Sequence, residues 1–128
     1  MGGECQLAPA GPAEAAQRVV LVVEDEVVLR MAVSAHLRDA GLVVIEAVDA
    51  EEAVELLSAN HTIGVVFSDI MMPGAMDGDQ LAEWINGRYP DIRILLTSGV
   101  TQRGQQPFIA KPYSFIELQR RIEEMLGT

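Results

Sequence analysis

Lysine occurs once in this chain, at Lys111, and cysteine once, at Cys5. A single cysteine excludes a disulfide within the chain and fits a reducing compartment. Basic residues are scarce as a class. Nine lysines and arginines face 19 aspartates and glutamates, giving a formal net charge of −10 and an isoelectric point near 4.5. That balance argues against nucleic-acid binding through a general basic surface. Aromatic residues make up 5% of a sequence that is 49% hydrophobic, so the core is aliphatic. No apolar run approaches the ~18 residues needed to cross a bilayer. The N-terminus has no basic region leading into an apolar stretch, so it is not a secretory signal. No glycine-rich phosphate loop of the Walker type occurs. The expectation is a cytoplasmic protein with a disordered tail over residues 1–17 and one domain over 18–128.

What the chain does have is two apolar runs that end in acid. Val19-Val20-Leu21-Val22-Val23 stops at Glu24-Asp25-Glu26, and Ile63-Gly64-Val65-Val66-Phe67-Ser68 stops at Asp69. As neighbouring parallel strands, they would bring their carboxylates together at one sheet edge. At ~4 Å and an effective dielectric of ~20, each like-charge pair repels by ~4 kcal/mol. Such a cluster needs a divalent cation, a nearby side-chain cation or a captured proton. Lys111, after the short apolar stretch Phe108-Ile109-Ala110, is the natural counter-charge.

Runs at 19–23, 42–47, 63–68 and 92–97, with 108–110 as a shorter fifth, read as strands covered on both faces. Helical patterns lie between them. Leu29, Val33 and Leu37 repeat every four residues over about 27–40, with Gly41 as a stop. Asp49 with Glu52 makes a capping-box pattern ahead of Ala53, Val54, Leu56 and Leu57. Leu81, Trp84 and Ile85 share a face over about 78–88. Ser114 with Glu117 caps a last helix lined by Phe115, Leu118, Ile122 and Met125. This alternation implies an α/β fold with a doubly wound parallel sheet, whose ligands bind beyond the carboxyl ends of the strands. Only nine residues separate Ser98 from Phe108, and a crossover containing a helix needs roughly 10–12 or more. A single turn or irregular loop is expected there.

Val22-Val23-Glu24-Asp25-Glu26, Asp69-Ile70-Met71-Met72-Pro73-Gly74-Ala75-Met76-Asp77-Gly78, Thr97-Ser98-Gly99 and Lys111-Pro112-Tyr113 together resemble the receiver domain of two-component response regulators. The likeness covers about residues 18–126. It implies a flavodoxin- or CheY-like five-stranded sheet of order 2-1-3-4-5, here with a shortened or absent fourth helix. It implies Asp69 as phosphoacceptor, with Mg²⁺ held by Glu24, Asp25, Asp69 and the Met71 backbone carbonyl. Asp25 would be a direct ligand and Glu24 one acting through water. Lys111 would pair with the phosphoryl oxygens. Ser98 stands at the switch hydroxyl and Phe108 at the aromatic that follows its movement. The implied partner is a histidine kinase or histidine phosphotransfer protein, with no nucleic acid or membrane. The downstream partner and the oligomeric state stay open. The pattern is similar to hybrid-kinase receivers and to a stand-alone alphaproteobacterial class with Pro-Phe-x-x-Lys-Pro-Tyr.

Two departures stand out. Ala75 is an extra residue in the loop after Asp69, and 99–107 replaces a full fourth helix, which puts the usual dimer surface in doubt. Nothing follows Thr128, so no DNA-binding output is expected. Blander readings exist for each residue. Asp69 can cap the next segment, the acids at 24–26 can favour a helix N-terminus, Lys111 can be a surface lysine, and Phe108 can be plain core. Ser98 can be a loop serine, with Thr97 as the rival hydroxyl. Met71, Met72 and Met76 read as loop packing, and His36 and His61 as structural or exposed. At the level of function, an adaptor that is never phosphorylated keeps the fold without the chemistry. A phosphohydrolase is opposed by Met71, which occupies the position of the usual second aspartate. The protein is therefore expected to be a signalling receiver that is not a turnover enzyme.

Overall fold

The alternating pattern folds as five parallel strands with helices on both faces of the sheet. The computed structural model describes residues 19–60, 62–100 and 104–127. In chain order the elements are β1 (Val19–Val23), α1 (Val27–Asp39), β2 (Val43–Ala47), α2 (Ala50–Ala59), β3 (Ile63–Asp69), α3 (Gly78–Arg88), β4 (Arg93–Ser98), β5 (Phe108–Ala110) and α4 (Phe115–Leu126). The strand order is β2-β1-β3-β4-β5 with every pairing parallel, as expected. Among the described residues no helix lies between β4 and β5, and none is long and apolar enough to cross a membrane. The tail at 1–17, with Cys5, and His61 lie outside the described residues.

Strand alternation sends successive side chains to opposite faces. Val20, Val22, Val65, Phe67 and Leu95 pack against Val33 and Leu37 of α1 and Leu118 and Ile122 of α4. Leu21, Val23, Val66 and Leu96 pack against Ala53 and Leu57 of α2 and Leu81 and Ile85 of α3. Each fully buried large aliphatic side chain contributes about 1.5–3 kcal/mol. The two layers clamp β1 and β3 at the centre, so the ends of these strands are fixed points.

β2 departs from the expectation of strands covered on both faces. It is an edge strand, and Val43 is exposed while Val44 and Ala47 are buried. It also starts one residue later than expected, because Leu42 belongs to the end of α1. Gly41 adopts φ +94°, its N–H donates to Arg38 O, and the Leu42 N–H donates to Leu37 O. This is a Schellman closure, with Leu42 buried in the same apolar cluster as Leu37.

Helix starts differ in detail from the sequence reading. Asp49 accepts from Glu52 N–H, but Glu52 Oε1 takes the Val48 N–H at 2.8 Å instead of closing a box on Asp49. A reciprocal box forms at Asp77 and Gln80, a pair the sequence reading passed over. Ser114 accepts the Glu117 N–H as expected. Both β3 and β4 run one residue further than expected. Asp69 pairs with Thr97 and Ser98 with Ala110, so the two site residues are the last residues of their strands.

Candidate functional site

The carboxyl ends of β1, β3 and β5 deliver the site. β1 ends at Val23, and the Glu24 N–H still donates to Ala47 O, extending the sheet by one bond before the chain turns into α1. Asp69 closes β3, and Ile70 N–H donates to Thr97 O. Lys111 follows β5, and its N–H donates to Ser98 O. Carboxylate oxygens of Glu24, Asp25 and Asp69 lie within 4.8 Å of one another, with Glu24 and Asp69 buried and Asp25 exposed. Lys111 Nζ donates to Asp69 Oδ2 at 2.6 Å and to Glu24 Oε1 at 3.4 Å. The positions that sequence reasoning grouped at one edge are thus gathered there.

Each buried carboxylate is oriented by backbone as well. Glu24 Oε2 accepts the Glu26 N–H at 3.0 Å, and Asp69 Oδ1 accepts the Met71 N–H at 3.0 Å. The next helix is capped by Asp77 instead, and Asp69 turns the backbone that follows it with one oxygen while Lys111 takes the other. The same bond holds the Met71 peptide beside the carboxylate. The Met71 side chain is exposed, whereas Met72 and Met76 pack on the core, so loop packing describes only the latter two.

Electrostatics follow from this crowding. Burial pushes the Glu24 carboxyl above its ordinary range and the Asp69 charge adds to the push, while the Glu26 N–H and Lys111 pull it back in part. Burial alone would lower the Lys111 ammonium, but its bond and attraction to Asp69, and then to Glu24, outweigh that and raise it. The Tyr113 phenol is raised by burial and by Glu24, Asp69 and Glu26, so it stays protonated. Its ring stands edge-on to Phe67 with centroids 5.6 Å apart.

Ser98 and Thr97 are both buried. Ser98 Oγ accepts the Val100 N–H at 3.1 Å. Phe108 is half-buried against the face that carries α2 and α3. His36 is structural, with Nε2 2.8 Å from Gln119 Oε1, linking α1 to α4.

Sequence reasoning missed the support given by four residues. Arg30 donates from Nη1 to Glu24 O at 2.9 Å and from Nε to Glu46 Oε1 at 3.1 Å. Gly78 packs so tightly that a Cβ there would sit 2.3 Å from Asp69 O. Glu51 Oε2 accepts the N–H of Ala75 at 3.0 Å. Gly74 permits that approach: it adopts φ +105°, and a Cβ on it would fall 2.9 Å from Glu51 Oε1. Gly74 and Gly78 carried a signal, as the two glycines of the Asp69–Gly78 motif. The others depend on contacts across elements.

Three hard oxygen donors converging beside one ammonium suit a small divalent cation and a phosphoryl group. A family model described as the response regulator receiver domain matches residues 20–123. The chain belongs to that family. Receivers are signalling modules that take a phosphoryl group from a histidine kinase onto an aspartate. This receiver is 32% identical over 117 residues to the sensor kinase CckA of Brucella abortus, covering 84% of this chain and 12% of that protein. It is 33% identical over 124 residues to the transcriptional regulatory protein PdtaR of Mycobacterium tuberculosis, covering 90% and 60%. The crystal structure of the receiver domain from the hybrid histidine kinase CckA matches with a TM-score of 0.76 at 33% identity, covering 84% of this chain and 98% of that one. The chain spans 12% of CckA and 25% of the C4-dicarboxylate transport transcriptional regulatory protein DctD of Rhizobium meliloti.

Proposed function

We propose that residues 18–128 form a receiver whose phosphoacceptor is Asp69, and that it works in the cytoplasm as a Mg²⁺-dependent switch with no separate substrate turnover. The observation that carries this reading is the convergence of Glu24, Asp25 and Asp69 within 4.8 Å, with Lys111 Nζ 2.6 Å from Asp69. The donor set fits Mg²⁺: the three carboxylates supply only hard oxygens, and Asp25 is open to solvent for an ion that keeps waters. Asp25, Asp69 and the Met71 carbonyl would hold it, with Glu24 acting through water. When bound, Mg²⁺ would neutralise charge that otherwise repels an incoming phosphoryl group.

An Asp69 carboxylate oxygen attacks the phosphorus of a phosphohistidine. The P–N bond breaks, its electron pair returns to the imidazole, and an acyl phosphate forms on Asp69. Lys111 is freed from the carboxylate oxygen to meet the phosphoryl oxygens. The new group adds about −1.5 to −2 charge and three acceptors. Ser98 Oγ would turn from the Val100 N–H to one of these acceptors, and Phe108 would repack behind it. Val27, Val28, Met71 and Val100 are exposed apolar residues within three positions of site residues, a rim suited to the protein that brings the phosphohistidine.

The intact set of Glu24, Asp25, Asp69, Ser98 and Lys111 opposes the adaptor reading. Acetyl phosphate or a cognate kinase is expected to label the protein only with Mg²⁺ present, and Asp69→Asn is expected to abolish labelling. Labelling that persists in the variant rejects Asp69 as the acceptor.

A further inference from the structure

Arg30 places a guanidinium on the backbone of the acid pair. Its side chain is 12% exposed, which is unusual for arginine. Nη1 donates to the Glu24 carbonyl at 2.9 Å and Nε to Glu46 Oε1 at 3.1 Å. Glu46 is itself held. It lies on β2 in register with Val22, and its second oxygen accepts from Arg38 Nη1 at 3.1 Å. Arg38 in turn donates from Nη2 to Val44 O at 2.9 Å. A chain of charged hydrogen bonds thus runs from β2, through Glu46 and Arg30, to the peptide that carries Glu24.

That peptide is where β1 turns into α1. The Glu24 N–H is bonded to Ala47 O, its carbonyl to Arg30, and its carboxylate to Glu26 N–H and Lys111. The carbonyl bond fixes the turn from which both Glu24 and Asp25 project. We propose that Arg30, braced by Glu46, is a positioning residue for the acid pair, setting how well Glu24 and Asp25 meet a divalent cation. The inference rests on the Mg²⁺ reading above.

Charge and geometry predict opposite signs, which makes the role testable. A guanidinium near an acid cluster repels a divalent cation, so as a mere charge its removal tightens binding. As a brace, its removal loosens the turn and weakens binding. Supporting partners of metal ligands change affinity by 10–100-fold when removed. Lysine keeps the charge but lacks the fork that reaches two acceptors in fixed geometry.

The experiment is calorimetric titration of MgCl₂ into the full chain, for wild type, Arg30→Met, Arg30→Lys and Asp25→Asn, with metal-free urea unfolding of each. Wild type is expected to bind, and Asp25→Asn is expected not to. Both Arg30 variants are expected to bind about tenfold more weakly under conditions where unfolding shows them fully folded. Binding by Arg30→Met that equals or exceeds wild type overturns the proposal. If Arg30→Met does not fold, Arg30→Lys decides alone: weakened binding supports the brace and unchanged binding overturns it. Wild type that binds no Mg²⁺, or Asp25→Asn that binds like wild type, rejects the metal site itself, and the brace with it.

Discussion

Lys111 Nζ sits 2.6 Å from Asp69 Oδ2, occupying one of the two oxygens of the proposed nucleophile. The ammonium is therefore both a counter-charge for the resting site and a competitor for any cation that seeks the same carboxylate. Its removal separates these roles. Lys111→Met is expected to bind Mg²⁺ several-fold more tightly in a calorimetric titration, because Asp69 is released and a repelling charge is gone. The same variant is expected to accept phosphate from acetyl phosphate about a hundredfold more slowly, having lost the cation that meets the phosphoryl oxygens. A variant with unchanged labelling kinetics would remove Lys111 from the chemistry.

Glu24 gives the metal-free protein a distinctive pH dependence. Its folded-state value lies above the ordinary 4.5, chiefly through burial and then through Asp69. Between these values the folded state binds more protons than the unfolded state, so stability falls as pH rises. The favourable contribution is complete below about 4.5 and lost as pH climbs through the raised value. Urea unfolding in EDTA at stepped pH is expected to show that decline, and Glu24→Gln to flatten it and be the more stable protein at neutral pH. Equal slopes for the two proteins would contradict the burial of this charge.

Gly78 is required by space. A Cβ there would meet Asp69 O at 2.3 Å and Ile70 Cα at 2.7 Å, and both are backbone atoms of a central strand and its exit. Gly78→Ala is expected to cost about 3 kcal/mol in urea unfolding. It should also disturb the Asp69 and Met71 amide resonances in metal-free NMR spectra. Wild-type stability in this variant would show that the strand end yields easily.

Much of this architecture was legible in the sequence because the signals were local. Val19–Val23 and Ile63–Ser68 are apolar runs bounded by acid, and their alternation with helical periodicity leaves few topologies open. The site residues were legible for the same reason: strand ends place them, since Glu24 and Lys111 follow directly on β1 and β5, Asp25 comes one residue later, and Asp69 closes β3. What stayed hidden depends on distance in the chain. Glu46 lies inside a run read only as apolar strand, and its bonds to Arg30 and Arg38 appear only once α1 is packed beside β2. The box at Asp77 and Gln80 was obscured by the motif it follows. Leu42 read as strand because its apolar side chain fits either role, and only the backbone closure at Gly41 decides between them.

The bond from Ala75 to Glu51 has a mechanical consequence. The loop carrying Met71 is moored at its apex to α2, so it cannot swing free of that helix without surrendering a hydrogen bond to a carboxylate. Glu51 is exposed, and water can replace the lost partner at a net cost of about 1.5 kcal/mol, the low end for a bond to a charged group. Ala75 therefore supplies a latch that solvent can undo. It keeps the loop seated against α2 at rest.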